Sequence, residues 1–123
     1  MHGTVKQVIV IRADLKLRRG KECAQVAHAA AMWLREYALE VHAPLTPEQL
    51  TWLRGNYRKI VLKATTEKQL RGLYAEAQLR GLTAHVVIDD GLTEVQPGTV
   101  TALAIGPHRD EAFTGLTDHL PLY

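Results

Sequence analysis

Cationic side chains are concentrated in the segment RADLKLRRGKECAQVAHAA, which covers residues 12–30. Half of its first ten positions are basic, namely Arg12, Lys16, Arg18, Arg19 and Lys21. A small, apolar, helix-forming run follows directly. Free backbone N–H groups at a helix start, with cations beside them, can bind a phosphate. A solvated basic loop explains the same pattern, and spacing alone does not separate the two interpretations.

Carboxylates stand in a second segment, VIDDGLTEVQPGTVTALAIGP, which covers residues 87–107. Asp89 and Asp90 directly follow a β-branched run. In α/β sheets, functional groups gather beyond the carboxyl ends of the strands. If the strands before the two segments run parallel and close together, Asp89 and Lys21 meet at one sheet edge. There a carboxylate can orient a water molecule and a cation can stabilise an oxyanion. A simple Asp-Gly turn is the competing explanation.

Cysteine and histidine offer weaker signals for chemistry. Cys23, the single cysteine, lies beside Lys21, but a nucleophilic cysteine needs a base that the sequence does not indicate. A small buried filler is therefore the favoured interpretation of Cys23. The six histidines show no metal-ligand spacing, so no metal site is predicted. His28, in an alanine-rich helix, is predicted to be a hydrogen-bonded structural residue.

Composition limits the class of protein. The 123 residues suit one domain, predicted to cover 1–123, and 46% hydrophobic with 23% charged residues is typical of globular proteins. The net charge of +2 is too small to imply an acidic partner by itself. One cysteine excludes an intrachain disulfide. No signal-peptide pattern and no run of about 20 apolar residues is present, so we expect a cytoplasmic protein without a membrane partner.

The elements that must position these residues follow the order β-α-α-β-α-β-β-α. The predicted strands are 4–12, 57–64, 83–89 and 99–106. The predicted helices are 21–41 and 65–81, with a short helix between them that ends at Gly55 and Asn56. Gly20 separates the first strand from its helix, Thr46 and Pro47 begin the second helix, and the tail is predicted to form a helical turn. Alternation of strands and helices predicts an α/β fold. The last two strands lack a helix between them, so that pair can be antiparallel and the sheet mixed.

Helical periodicity predicts which faces pack on the sheet. In the first helix the predicted inward stripe is Ala24, Ala27, Ala31, Leu34 and Ala38, with Gln25 and His28 elsewhere. In the third helix it is Leu70, Leu73, Ala77 and Leu79. Three aromatic residues, Trp33, Tyr37 and Trp52, are candidate anchors of a dimer interface, although core packing is the favoured interpretation of each.

Three ordered blocks carry a resemblance to a known family. RADLKLRRGKECAQVAHAA, KIVLKA and the segment ending in ALAIGP together resemble the type 2 peptidyl-tRNA hydrolase family, from about Val8 to Pro107. The resemblance implies a compact α/β domain with a four-stranded mixed sheet flanked by helices, often as a homodimer. It implies hydrolysis of the ester that joins a peptide to the terminal ribose of tRNA, with no metal or other cofactor.

The resemblance also implies roles for individual residues. Catalytic roles fall on Lys21, Asp89 and Thr93: Asp89 positions or deprotonates water with help from Thr93, and Lys21 stabilises the oxyanion. Substrate contacts fall on Gln25 and Thr101, which match a helix glutamine and a strand threonine of the family. In the mechanism that we favour, Arg12, Arg18 and Arg19 contact the phosphates of the tRNA end. Structural positions near the site fall on Gly20, His28 and Gly91.

Several positions depart from the family pattern. The usual Met-Gly-Lys before Gly20 is Leu17, Arg18 and Arg19 here. Arg19 stands where a lysine implicated in catalysis is expected, and arginine cannot give up its proton. Asp90 replaces an alanine, and Glu94 replaces a glutamine. Two alternatives therefore stay open: a family member that binds RNA or a protein partner with lost or altered chemistry, and a hydrolase of a smaller ester or amide.

Overall fold

The chain folds around one four-stranded sheet with the strand order β2-β1-β4-β3. The computed structural model describes residues 4–40, 44–90, 95–96 and 98–123. The elements are β1 (Val5–Arg12), α1 (Arg19–Glu40), α2 (Pro47–Arg54), β2 (Lys59–Ala64), α3 (Glu67–Leu79), β3 (Ala84–Ile88) and β4 (Val100–Arg109), with short 3-10 turns at Ala13–Leu15 and Asp110–Phe113. The predicted element order and the helical turn in the tail are confirmed.

Strand directions bring the carboxyl ends of three strands to one edge. β1 pairs in parallel with β2 and antiparallel with β4, and β4 pairs antiparallel with β3. The sheet is therefore mixed, as predicted. Since β4 opposes both β1 and β3, the chain leaves β1 and β3 at the same edge where β4 begins. The segments that carry Lys21 and Asp89 both start from this edge.

Local sequence signals explain where the helices begin. Thr46 caps α2 by accepting a hydrogen bond from Gln49 N–H, and the Gln49 side chain accepts one from the Thr46 backbone in return. This is a capping box, with Pro47 at the first helical position. Thr66 caps α3 in the same way through Gln69 N–H. The predicted start of α2 is confirmed.

The two faces of the sheet are covered differently. The larger core lies on the α3 side and includes Leu70, Phe113 and Leu116. The core under α1 is smaller and is formed by Ile9, Ile11, Ala29, Val87, Ala102 and Ala104. Three of those six are alanines, so α1 packs closely on the strands. Trp33 and Trp52 are buried with ring centroids 6.1 Å apart, which confirms core packing for both.

The predicted inward face of α1 was wrong. The alanines of that stripe (24, 27, 31 and 38) are exposed, whereas Gln25, Ala29 and Trp33 are buried at intervals of four residues. Periodicity assigned Gln25 to solvent because it is polar, although hydrogen bonds satisfy its amide in the interior. The helix also begins two residues earlier than predicted, which places Gly20 in its first turn. In α3, Leu79 is 85% exposed and does not belong to the buried stripe.

The last residues pair with the outer edge of β2. Leu122 forms an antiparallel bridge with Leu62. Lys63 N–H donates to Pro121 O at 3.1 Å, and Tyr123 N–H donates to Val61 O at 3.1 Å. The tail therefore protects part of a strand edge that would otherwise be open. Of the helices that the structure describes, none combines the length and apolarity required to cross a membrane.

Candidate active site

A lysine from α1 and an aspartate from the end of β3 meet at the sheet edge. Lys21 Nζ lies 2.5 Å from Asp89 Oδ2. The Lys21 side chain is 16% exposed and the Asp89 side chain 3%, so the pair is largely buried and the lysine is the more accessible of the two residues. The predicted meeting of the two segments is confirmed, and it follows from the shared direction of β1 and β3.

A buried amide fixes the Asp89 carboxylate. Gln25 Nε2 donates to Asp89 Oδ2 at 3.0 Å and is 3.0 Å from Thr101 Oγ1, and Thr101 Oγ1 donates to Val87 O at 3.4 Å. The backbone of Asp89 is held as well, because its N–H donates to Thr99 O at 2.9 Å. Asp89 Oδ2 therefore receives donors from two residues of α1, four positions apart and so on one helix face.

Gln25 and Thr101 were predicted to contact the substrate, but both are buried. Gln25 is 2% exposed and Thr101 is fully buried. Neither side chain is accessible to a substrate in this structure. Their hydrogen bonds lead from β4 to Asp89, so the two residues position the carboxylate. Sequence reasoning missed this role, although a glutamine four residues from a lysine was the visible signal.

Arg12 is part of the interior and does not face solvent. Its Nε and Nη2 donate to the Asp14 carboxylate at 3.1 and 2.7 Å, and its Nη1 donates to Glu67 Oε1 at 3.2 Å and to Val100 O at 3.1 Å. Only 8% of the residue is exposed. The phosphate contact predicted for Arg12 is therefore replaced by a structural role that ties β1 to α3 and β4.

The other basic residues of the segment are at the surface. Arg18 and Arg19 are exposed at the start of α1, next to Lys21. Gly20 is exposed too, and a Cβ on it would meet no atom within 4 Å. No steric demand of the described residues explains a glycine here, so the predicted structural role of Gly20 is not supported. The open space above the turn leaves room for a substrate.

Four further predictions concern exposed or undescribed residues. The His28 side chain is exposed and makes no hydrogen bond to any residue that the structure describes, so its predicted hydrogen-bonded structural role was wrong. Cys23 is exposed, which contradicts a buried filler. Thr93 and Gly91 lie outside the described residues, and their roles stay predictions.

The site can act through a cation and a carboxylate. In the part of the chain that the structure describes, no group of three or more His, Cys, Asp or Glu side chains is arranged to hold a metal ion. The Lys21 ammonium is the group able to stabilise a developing oxyanion, and the Asp89 carboxylate is the group able to accept a proton or hold a water. The fold and the site thus define an α/β protein with a lysine–aspartate pair suited to hydrolysis.

Comparison with known proteins gives the family. Residues 5–123 match the family model described as Peptidyl-tRNA hydrolase PTH2. The chain belongs to this family. It is 50% identical to a peptidyl-tRNA hydrolase of Methanopyrus kandleri, over 95% of this chain and 97% of that one. It is 44% identical to a peptidyl-tRNA hydrolase of Haloquadratum walsbyi, over 97% of this chain and all of that one.

More distant comparisons agree with the fold. The human protein named peptidyl-tRNA hydrolase 2, mitochondrial is 37% identical over 98% of this chain and 65% of its own length. A protein of unknown function from Agrobacterium tumefaciens superposes with a TM-score of 0.60 at 12% identity, covering 100% of this chain and 99% of that one. The last likeness concerns the fold alone.

Proposed function

We propose that this protein hydrolyses the ester bond of peptidyl-tRNA and releases free tRNA and peptide. The observation that carries the proposal is the buried Lys21–Asp89 pair, placed beside the exposed cations of the first turn of α1. Membership of the peptidyl-tRNA hydrolase family supports it. The relatives that carry this name cover nearly the whole chain, including both segments of the site.

Lys21 stabilises the oxyanion that forms when water attacks the ester carbonyl. An ammonium has three N–H donors, so a lysine that binds Asp89 can also donate to a substrate oxygen. Its partly exposed side chain faces the surface, whereas Asp89 lies below it. The negative charge of Asp89 holds the ammonium at one place before the substrate arrives, which is the preorganisation that makes such stabilisation effective.

Asp89 orients or deprotonates the attacking water, with Thr93 as the second group that holds it. Gln25 and Thr101 support this role because they fix the carboxylate from below. A general base must lie within hydrogen-bond reach of the proton that it removes. The short Lys21–Asp89 distance supports the role, because a water bound next to the ammonium would lie close to the carboxylate.

Arg18 and Arg19 bind phosphates near the acceptor end of the tRNA. Their exposure on the first turn of α1 supports this assignment, since arginine presents paired donors to phosphate oxygens. A net charge of only +2 is compatible with RNA binding because one face of the protein suffices. Binding through phosphates predicts that affinity falls with rising salt.

Incubation of the purified protein with an N-acetylated aminoacyl-tRNA tests the proposal. We expect release of the labelled amino acid in the presence of a chelator, with loss of turnover in Lys21→Ala. The matched control is Lys68→Ala, which removes an exposed lysine of α3. Retarded tRNA without release would instead support a non-catalytic binder. Neither binding nor release would favour a hydrolase of a smaller ester or amide.

We further propose that residues 1–123 work as one domain, that two copies form a homodimer, and that the protein acts in the cytoplasm. Exposed apolar side chains support the dimer: Leu39 is 72% and Ile88 61% exposed, near the edge strand β3. Light scattering coupled to size exclusion should give twice the 13.7 kDa chain mass. A mass of one chain at micromolar concentration would contradict the dimer, and cell fractionation tests the compartment.

A further inference from the structure

The start of α1 has little apolar support from the core. Leu17 is buried just before the helix, and the next buried side chain along the chain is that of Gln25. Residues 18–24 lie between them, and each is exposed or half-buried. The turn that carries Lys21 is therefore held by polar contacts of its side chains. Because helix ends fray where they are not packed, the position of this turn depends on those contacts.

Two such contacts lie on opposite flanks of the helix. On the flank of β3, Lys21 pairs with Asp89, which follows that strand. Glu22 is the next residue, about 100° further around the helix axis. Its carboxylate accepts a hydrogen bond from the hydroxyl of Tyr123, which lies against β2. Since β2 and β3 are the two outer strands, the turn is tied to both edges of the sheet.

Tyr123 is itself held firmly by β2. Its backbone N–H donates to Val61 O at 3.1 Å, and Pro121 O accepts from Lys63 N–H at 3.1 Å. These two bonds fix the backbone on both sides of Leu122, which forms a bridge with the same strand. A tyrosine side chain has only two torsions, so its hydroxyl is held in place at a low cost in entropy.

An open groove separates α1 from β2 on this flank. Its volume is about 780 Å³, and Val26, Ala30 and Val61 are among the residues that line it. Glu22 and Tyr123 line it too, so their hydrogen bond crosses the groove at the start of the helix. This bond raises the pKa of the Tyr123 hydroxyl above its ordinary value of 10.0. The hydroxyl therefore keeps its proton and remains a donor at neutral pH.

We propose that Tyr123 is a positioning residue for Lys21. Its hydroxyl holds Glu22, and with it the first turn of α1, so that the Lys21 ammonium stays next to Asp89. The inference rests on the proposed hydrolase function. A misplacement of about 1 Å can cost a reaction about 100-fold, so the lysine is sensitive to movement of the turn. The exposed arginines of the same turn are less sensitive, because their long side chains can follow a phosphate.

Removal of one hydroxyl tests the inference. Tyr123→Phe keeps the ring and the backbone bonds to β2. We expect kcat with an N-acetylated aminoacyl-tRNA to fall about threefold, the effect of one hydrogen bond lost at an exposed place, with KM near the wild-type value. The matched control is Tyr57→Phe, which removes the hydroxyl of another exposed tyrosine that lines the same groove. It should change neither quantity.

Substitutions of the acceptor give the complementary test. Glu22→Gln keeps an oxygen that can accept from the Tyr123 hydroxyl, so it should retain most of kcat. Glu22→Leu removes the acceptor and should lower kcat as much as Tyr123→Phe does. The double variant should be no slower than either single one, because both changes remove the same bond. Additive losses in the double variant would contradict the inference.

Hydrogen exchange measures the position of the turn without a substrate. The backbone N–H of Glu22 donates to Arg18 O at 2.9 Å, so its exchange reports on the start of α1. In Tyr123→Phe, we expect the amides of residues 22–25 to exchange about threefold faster, whereas those of α3 keep their rates. Tyr57→Phe should leave both regions unchanged.

Four results would overturn the inference. They are a wild-type kcat in Tyr123→Phe, an equal loss in Tyr57→Phe, a raised KM with unchanged kcat, and unchanged exchange at the start of α1. The raised KM would make the hydroxyl a substrate contact. Absence of release by the wild-type protein would instead reject the hydrolase function, and the exchange rates would still decide whether Tyr123 holds the turn.

Discussion

Lys21 Nζ and Asp89 Oδ2 lie 2.5 Å apart, although the lysine is on α1 and the aspartate follows β3, far away along the chain. The aspartate is the more deeply buried of the two, and Gln25 donates to the same carboxylate oxygen. The Asp89 carboxylate is thus held in the interior, and the Lys21 ammonium extends from it toward the surface. Substitutions around the pair should therefore have separable effects on turnover, tRNA binding and stability.

Asp89→Asn should abolish ester hydrolysis and leave tRNA binding largely intact. The amide keeps the shape of the side chain but removes the charge that holds Lys21 and the base that serves the water. Release of amino acid from N-acetyl-aminoacyl-tRNA gives the first quantity, and filter binding of tRNA gives the second. Full turnover in Asp89→Asn would remove Asp89 from the mechanism.

Lys21→Ala should lower kcat more than Arg18→Ala does, because Lys21 contacts Asp89 and Arg18 is exposed at the helix start. Arg18→Ala should raise KM and reduce the dependence of binding on salt, as the loss of a phosphate contact does. Steady-state kinetics at two salt concentrations measure both effects. The reverse order of kcat values would exchange the two assignments.

Gln25→Leu should reduce both stability and turnover. The change removes one buried donor from Asp89 and the amide donor from Thr101 Oγ1, which costs about 1–3 kcal/mol in the free energy of unfolding. The less constrained carboxylate should lower kcat while KM stays near its original value. Gln78→Leu, at an exposed position of α3, is the control and should affect neither. Urea unfolding and kinetics give the two readouts, and an unchanged kcat in Gln25→Leu would exclude a positioning role.

Arg12→Met should destabilise the fold without weakening tRNA binding. Its partners Asp14 and Glu67 are about one third or more exposed, so water compensates part of the lost ion pairs. We expect a loss of about 2 kcal/mol, which is less than the loss of about 3–5 kcal/mol when a fully buried pair is broken. Chemical denaturation and filter binding measure the two properties. A selective loss of tRNA affinity would restore Arg12 as a phosphate contact.

His108 should make the protein less stable in mild acid. Thr83 N–H donates to His108 Nε2 at 2.9 Å, which requires the neutral ring. Burial lowers the pKa of His108 below its ordinary value of 6.5, and the nearby Glu48 only partly opposes this. The unfolded chain therefore binds the proton more readily. The contribution of His108 is complete above pH 6.5 and is lost as the pH falls through the lowered pKa.

Replacement of the ring by an amide isolates this effect. His108→Gln can accept the same hydrogen bond through its oxygen and does not titrate. Its free energy of unfolding should fall less between pH 7.5 and pH 5 than that of the wild-type protein, as measured by urea denaturation. Parallel losses in both proteins would assign the acid sensitivity to other groups.

The sequence was sufficient for the order of elements and for the pair of segments at the sheet edge. Strand periodicity and helix caps such as Thr46 are local, and the meeting of Lys21 with Asp89 follows from strand direction. The inward face of α1 was not predictable in this way. Alanine has weak hydropathy, so the hydrogen bonds of Gln25, which join residues distant in sequence, decide which face is buried.

The roles of Arg12 and of the tail were missed for a related reason. A basic residue at a strand end suggests a phosphate contact. The ion pairs of Arg12 with Asp14 and Glu67 give it a structural role instead, and they become visible only in the folded chain. The tail returns to the edge of β2, and this return brings Tyr123 next to Glu22. No short segment of sequence contains that relationship.

The alanines beneath α1 have a consequence for the chemistry although they bind nothing. Ala29 on the helix and Ala102 and Ala104 on β4 set the separation between the helix layer and the sheet layer. The hydrogen bonds of Gln25 require this short separation, since its amide must reach a threonine hydroxyl on the strand below. A bulkier side chain at Ala102 would lift the helix, and Lys21 with it, away from Asp89. The alanines thus act as spacers that set the geometry of the Lys21–Asp89 pair from outside the site.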